Sequence, residues 1–363
     1  MARVLLVEPY LVGSHRAWAE GWVRHSRHEI ELVGHEGQHW RWRMRGGAVS
    51  VAREVRERFG AGGGVDVVVG SNMLDLASFR GLVGLDARWV QYLHENQLTY
   101  PRQPGEPIDT GLAWMQWRGL VAVDEVWINS HFHRDALFAA LVPFLSSVPD
   151  HGHEPELAGL ADRVRVISPG VDVSACRAGG RSRTPRPLVL SNQRWHHDKD
   201  VGAVLRTLLR MAEEGVEFDV AVVGDADGGE AATLDPMLDR LGGRVLARGM
   251  VARADYLELL CRADIVVSAA RGENFGIAVV EAIAAGAWPV VPDALAYPEV
   301  VPPAFHASTL YAPGGLGRCL RDTVAEVASG SAAIEGLASE MDVFDIRVVA
   351  EEMDDHIDRL LGV

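Results

Sequence analysis

Short apolar runs rich in β-branched residues alternate along the whole chain with longer stretches in which apolar residues recur every three or four positions. The first pattern predicts strands and the second amphipathic helices. Strands are expected at 3–8, 29–33, 65–69, 88–93, 125–129 and 164–168, with helices near 15–26, 48–59, 110–122 and 131–145. Strand alternating with helix implies a parallel sheet covered on both faces. Residues 147–160 (SVPDHGHEPELAGL) read as a surface loop. Residues 178–187 (AGGRSRTPRP) have no periodicity and are rich in Gly, Arg and Pro, which marks a linker.

The alternation then restarts, with strands at 188–192, 218–223, 244–247, 264–268 and 288–292 and helices near 199–214, 232–241, 253–262 and 276–285. A last helix, 344–361, lies beyond the second sheet and is expected to pack back on the first. The expected organisation is α/β with two doubly wound, Rossmann-like domains facing across a cleft. Residues 1–178 form the first domain, 179–187 the linker, 188–343 the second domain and 344–363 the returning helix.

Composition narrows the class. A chain of 363 residues suits two domains, and 48% apolar with 23% charged residues is a globular balance. The run Val4 to Val7 ends at Glu8 with no basic segment before it, so a buried strand is expected there and not a signal peptide. No uncharged stretch reaches the roughly 18 to 20 apolar residues of a membrane helix. Cys176, Cys261 and Cys319 are odd in number and lack metal spacing, which points to a reducing, cytoplasmic setting. The net charge of -15 argues against a broad basic surface for nucleic acid but leaves room for a local patch.

Two rare residue types point to a site. Of 35 Lys plus Arg residues, the sole lysine is Lys199, a compact ammonium where arginine's planar fork is the rule. The asparagines are Asn72, Asn96, Asn129, Asn192 and Asn274, each at or shortly after the end of an expected strand. Ligands of open α/β sheets sit at those ends.

The segment ENFGIAVVEAIAAG (273–286) follows a strand and opens a helix at about Gly276. Free amides at the helix start favour an anion, and Gly276 lets a ligand approach the backbone. Glu281 is then placed for hydroxyls such as those of a ribose, and Glu273 for a second polyol such as a sugar. In SNQRWHHDKD (191–200), Arg194 and Lys199 straddle a tight loop and can converge on one diphosphate without a metal. His196 and His197 read as exposed. His94, in HENQLTYP (94–101), is expected to face the cleft, and Gly13, Ser14 and His15 form a further backbone cradle after the first strand. Asp225-Ala226-Asp227 reads as a turn and not as a metal motif. The run WRWRMR (40–45) can stack on bases and pair with phosphates, or pack as a loop on its own domain.

The first-domain histidine, then Arg-x4-Lys, then E-x7-E, in that order along the chain, resemble the family 4 retaining glycosyltransferases of GT-B fold. The resemblance implies that Arg194 and Lys199, with Gly276 and Ile277 at the helix start, bind the donor diphosphate. It also implies that Glu281 binds the ribose, and that Glu273 and His94 are the catalytic pair beside the sugar. VGSH (12–15), WRWRMR, HENQLTYP, QRWHHDKD (193–200) and AYPE (296–299) further resemble the tRNA-queuosine alpha-mannosyltransferase family. That implies mannose transfer from GDP-mannose to queuosine in tRNA, no metal, and no cofactor beyond the nucleotide-sugar co-substrate. Gly13, Ser14, His15, Asn96, Asn274 and Phe275 would then touch donor sugar or acceptor, and Arg41, Arg43 and Arg45 the tRNA. Val12 stands where a glycine is usual, and Asn274 where an aromatic often precedes Phe-Gly. Two alternatives stay open: the same enzyme class acting on a small-molecule or glycan acceptor, and a non-catalytic nucleotide-sugar or RNA-binding module. Oligomeric state is open.

Overall fold

The computed structural model describes every residue except 61, 62, 104, 183, 184, 227 and 331–333. In chain order the first elements are β1 (Arg3–Leu11), α1 (Gly13–His25), β2 (Glu29–Glu36), α2 (Trp40–Phe59), β3 (Val67–Ser71) and α3 (Leu76–Val83). β4 (Arg88–Leu93), α4 (Thr110–Val121), β5 (Glu125–Ile128), α5 (His131–Leu145), α6 (Glu154–Ala161), β6 (Val164–Val166) and α7 (Val173–Arg177) follow. Then come β7 (Leu188–Ser191), α8 (Val201–Glu213), β8 (Asp219–Val223), α9 (Gly228–Leu241), β9 (Val245–Gly249), α10 (Arg253–Arg262) and β10 (Ile265–Val267). The last are α11 (Ile277–Ala284), β11 (Trp288–Pro292), α12 (Tyr297–Val300), α13 (His306–Thr309), β12 (Leu310–Tyr311), α14 (Leu316–Ser329), α15 (Leu337–Glu340) and α16 (Ile346–Leu361).

Two six-stranded sheets result, ordered β2-β1-β3-β4-β5-β6 and β12-β11-β10-β7-β8-β9. Every strand pair is parallel. Parallel strands are buried on both faces, which is why β3, β7 and β8 read as unbroken apolar runs. The chain divides into two compact units: Met1–Gly170 with Ile346–Val363, and Val171–Asp345.

α7 belongs to the second unit because Val173 and Cys176 lie in its core with Leu188 and Val280. The unit therefore begins ahead of the Gly/Arg/Pro-rich stretch, which follows its first helix. In the first unit, buried Asp354 of α16 accepts hydrogen bonds from Trp22 Nε1 (2.8 Å), Ser26 Oγ (2.7 Å) and the Arg27 amide (2.7 Å). Val349, Met353 and Ile357 of the same helix pack with Trp18 and Trp22.

Three local expectations change. The helix expected from residue 48 begins at Trp40, so Trp40 to Arg45 are helical and not a loop. The stretch 147–160 contains the start of α6, with Pro155 in its first turn, where the missing amide costs nothing. α3 was not anticipated, although Asp75 caps it by accepting from the Ser78 amide.

Candidate active site

In the second sheet β7 lies beside β10, and strand order runs outward in opposite directions from that pair. Ligands of doubly wound sheets bind at the carboxyl ends of such a pair. The loop leaving β7 and the loop leaving β10 are joined there by bonds from the Arg271 and Gly272 amides to the Asp198 carbonyl (2.7 and 3.3 Å). Lys199 closes the same junction. Its Nζ donates to the Gly272 carbonyl (2.6 Å) and Glu273 Oε2 (3.1 Å) and lies 3.2 Å from Asp198 Oδ2. Two of the ammonium's donors are thus used in hydrogen bonds, and Asp198 completes the ion pairing. Burial disfavours the charge on Lys199, but Glu273 and Asp198 outweigh it and raise its pKa. Burial likewise acts to raise Asp198, yet Lys199, His196 and Arg194 together hold its carboxyl below the usual range. Exposed Arg194 therefore shares one electrostatic field with Lys199.

Gly276 is the N-cap of α11, and its φ of 102° is in the left-handed region. A Cβ there would also lie 3.4 Å from the Tyr297 ring. The turn is built on a buried polar floor. Gln193 Nε2 donates to Tyr297 Oη (3.0 Å), Ser268 Oγ donates to Gln193 Oε1 (3.0 Å), and the two hydroxyls meet at 2.7 Å. Buried Glu281 is gripped by Arg253 Nη1 (2.9 Å) and Tyr256 Oη (2.6 Å), and Asn192 Nδ2 donates to Tyr256 Oη in turn (2.9 Å). Burial, then Glu281, pushes the Tyr256 phenol well above its ordinary value.

In the first unit, Glu8 is buried at the end of β1's apolar run, with Oε1 accepting from the Tyr10 amide and Oε2 2.8 Å from His15 Nδ1. The His15 ring lies 4.1 Å from that of His94, which also meets the edge of Trp18 and the ring of Tyr92. Two asparagines fix the turn after β4: Asn72 Oδ1 accepts from the His94 amide (3.0 Å), and Asn129 Nδ2 donates to the His94 carbonyl (2.9 Å). Asn129 Oδ1 also meets His133 Nδ1 at 2.8 Å. Burial first, then His15 and His133, pushes His94 well below the usual histidine pKa, so it is neutral near pH 7. Burial alone lowers His133 to about 3.

Among the described residues, Glu8, His15 and His94, and separately His196, His197 and Asp198, have side chains close enough to hold an ion. In each set one imidazole is already on a carboxylate, His196 Nδ1 standing 2.5 Å from Asp198 Oδ1. The backbone of Asp225 and Ala226 pairs with Trp195, and Asp227 lies outside the described residues.

Residues 3–171 match the family model "tRNA-queuosine alpha-mannosyltransferase N-terminal", and residues 174–314 match "Glycosyl transferases group 1". The tRNA-queuosine alpha-mannosyltransferase of Drosophila melanogaster is 28% identical over 311 residues, 82% of this chain and 81% of that protein. The chain thus joins a tRNA-queuosine alpha-mannosyltransferase N-terminal domain to a group 1 glycosyltransferase domain. It is a hexosyltransferase. A GDP-mannose:cellobiosyl-diphosphopolyprenol alpha-mannosyltransferase of Xanthomonas campestris is 31% identical over 133 residues, 36% of this chain and 35% of its own. Two solved structures share the fold. Sucrose-phosphate synthase of Thermosynechococcus elongatus covers 100% of both chains at TM-score 0.74 and 12% identity. Anabaena HepE with UDP and glucose covers 99% of this chain and 100% of its own at TM-score 0.69 and 17% identity.

The structure gathers Lys199, Glu273, Gly276, Ile277 and Glu281 at the ends of β7 and β10, with Arg194 on the same loop as Lys199. It gathers His15 and His94 at the ends of β1 and β4, with Gly13 and Ser14 exposed at the start of α1. Two residues stand apart. Phe275 is a buried core residue with its ring edge-on to Phe344, so its side chain anchors the turn. Asn96 is fully buried and its amide serves its own turn, accepting from Leu98 and Thr99 amides and donating to Thr99 Oγ1. Half-buried Asn274 follows Glu273 on the turn. Sequence reasoning missed Asp198, Arg253, Tyr256 and Glu8. Asp198 sat inside a quoted motif, whereas nothing local marks Arg253 and Tyr256, which meet Glu281 only through the fold.

Proposed function

We propose that the chain is a retaining mannosyltransferase that moves mannose from GDP-mannose to the cyclopentenediol of queuosine in tRNA. The observation that carries this is the similarity to the Drosophila tRNA-queuosine alpha-mannosyltransferase across both units. The Xanthomonas relative, named for GDP-mannose, supports the donor. The second unit offers the groups a nucleotide diphosphate needs: Arg194, Lys199 and the Gly276–Ile277 amides for the phosphates, and Glu281 for ribose hydroxyls. A phosphate oxygen taking Glu273's place on Lys199 Nζ frees that carboxylate for the sugar. Neutral His94 is suited to bond a sugar hydroxyl.

The bond from the sugar's anomeric carbon to the diphosphate then breaks, with the developing negative charge held by Arg194, Lys199 and the helix start. The acceptor hydroxyl attacks the oxocarbenium-like carbon from the face the phosphate leaves, and its proton passes to a phosphate oxygen. Arg41, Arg43 and Arg45 on the first two turns of α2 supply tRNA contacts. A second reading, a small-molecule acceptor, draws on the net charge of -15. The test is incubation with GDP-mannose and queuosine-containing tRNA, read as a mobility shift of the tRNA. Transfer to a small molecule with none to any tRNA overturns the tRNA acceptor.

A further inference from the structure

Three features of α2 point to a ligand at its exposed N-terminal half. Trp42 is 65% exposed, whereas Trp40 packs beside Met44, Met73 and Leu112 with the Arg41 guanidinium 4.7 Å from its ring. The Trp42 indole lies flat along the helix over Gly46: a Cβ at that position would stand 2.9 Å from Cζ2. One face of the indole thus rests on the backbone, and the other faces solvent. Val49, one turn further on, is 62% exposed. Around it, residues 37–53 contain Arg41, Arg43, Arg45 and Arg53 and no acid, in a chain of net charge -15. Arg41 and Arg45 are more than half exposed and, among the described residues, pair with Glu106 (3.3 Å) and Asp109 across the surface. Exposed pairs of that kind are weak and yield to phosphate.

We infer that Trp42 is a stacking platform for one unpaired nucleobase of the tRNA acceptor, with Arg41 and Arg45 taking the flanking phosphates from Glu106 and Asp109. This rests on the proposed tRNA acceptor and names the part of the protein that grips it. A flat aromatic face bounded by guanidinium groups matches a base between two phosphates, since every base offers a π-face. The glycine keeps the ring low on the helix. Glu106 and Asp109 hold the arginines in place in the free protein and set how strongly salt and charge compete for them.

The test is fluorescence anisotropy of dye-labelled, queuosine-containing tRNA binding to the full chain at several salt concentrations, beside steady-state kinetics. Trp42→Ala should weaken binding about tenfold and raise the KM for tRNA in proportion, while Trp42→Phe, which keeps a ring, stays within about threefold. Gly46→Ala favours the helix, as alanine does over glycine, yet pushes the indole off its seat, so binding weakens without loss of thermal stability. Asp109→Asn keeps the α4 cap, where the side chain accepts from the Leu112 amide, but frees Arg45, so tRNA binds about two- to fivefold tighter at low salt. Arg45→Ala lowers the slope of log affinity against log salt by about one. Should the wild-type enzyme bind and mannosylate tRNA while Trp42→Ala binds equally well, the platform is wrong and the proposed function stands. Should wild type neither bind nor modify the tRNA, the proposed function fails, and the platform with it.

Discussion

Replacing Lys199 by Met tests whether the junction of the β7 and β10 loops is held by charge. Its ammonium stands about 3 Å from two carboxylates, side chains of Asp198 (3% exposed) and Glu273 (18% exposed). At an effective dielectric near 20, each contact is worth about 5 kcal/mol before the cost of burial. Burial and Arg194 act against the ammonium, so the net is much smaller. Removing one partner leaves two like charges facing each other in a poorly hydrated place, a loss of about 3–5 kcal/mol. Hydrogen exchange read by mass spectrometry on peptides of β7 and β10 reports this unit alone, and protection there should fall by that amount. Lys199→Met combined with Glu273→Gln should recover about 1–3 kcal/mol relative to additivity, because the second change removes one of the stranded charges. Protection altered by less than about 1 kcal/mol, or a strictly additive cycle, would refute the argument. Lys199→Arg is expected to fail as well, since a planar fork does not fit a cradle whose carbonyl lies 2.6 Å from Nζ.

His133 makes the first unit acid-sensitive. Its folded pKa, about 3, lies below the ordinary value of about 6.5, so on acidification the unfolded chain takes up the proton first. The stability is present above about pH 6.5 and is lost as pH falls toward 3, with about 2 kcal/mol gone by pH 5. Urea unfolding at pH 8 and pH 5 should show at least that difference, with buried His94 adding its own share, and His133→Asn, which can still donate to Asn129, should reduce the loss by about 2 kcal/mol. Gly276→Ala forces a side chain into a left-handed turn against Tyr297 and should cost about 1–2 kcal/mol in the second unit, with weaker GDP-mannose binding by calorimetry. Glu281→Gln leaves Arg253 without its carboxylate and should raise the KM for GDP-mannose about tenfold or more.

The sheets were legible because parallel strands are apolar on both faces, and the runs around Val4–Val7 and Leu188–Ser191 can hardly be anything else. Strand ends, in turn, located the loops carrying His94, Lys199 and Glu273. Helices set by capping were harder: α3 is short and depends on the Asp75 cap, and α6 hides in a polar, proline-bearing stretch. The start of α2 was obscured because tryptophan and arginine alternate there with a period that suits a strand or loop as well as a helix. Side-chain roles divided in the same way. Lys199 stood out by rarity, but that Asp198 and Glu273 share it, or that Arg253 and Tyr256 grip Glu281, depends on contacts between residues remote in sequence. Phe275 looked like a site residue from its neighbours and proved to be core.

The solitary lysine has a spectroscopic consequence. A protein grown on isotopically labelled lysine carries a single labelled side chain among 363 residues, so its spectrum contains one ammonium signal and one Cε signal without assignment. That atom sits on both carboxylates at the mouth of β7 and β10. Exchanging a carboxylate for a phosphate oxygen beside it would move the signal. If the proposed donor site is right, the enzyme carries a built-in reporter that would follow donor binding, donor cleavage and product release through one resonance.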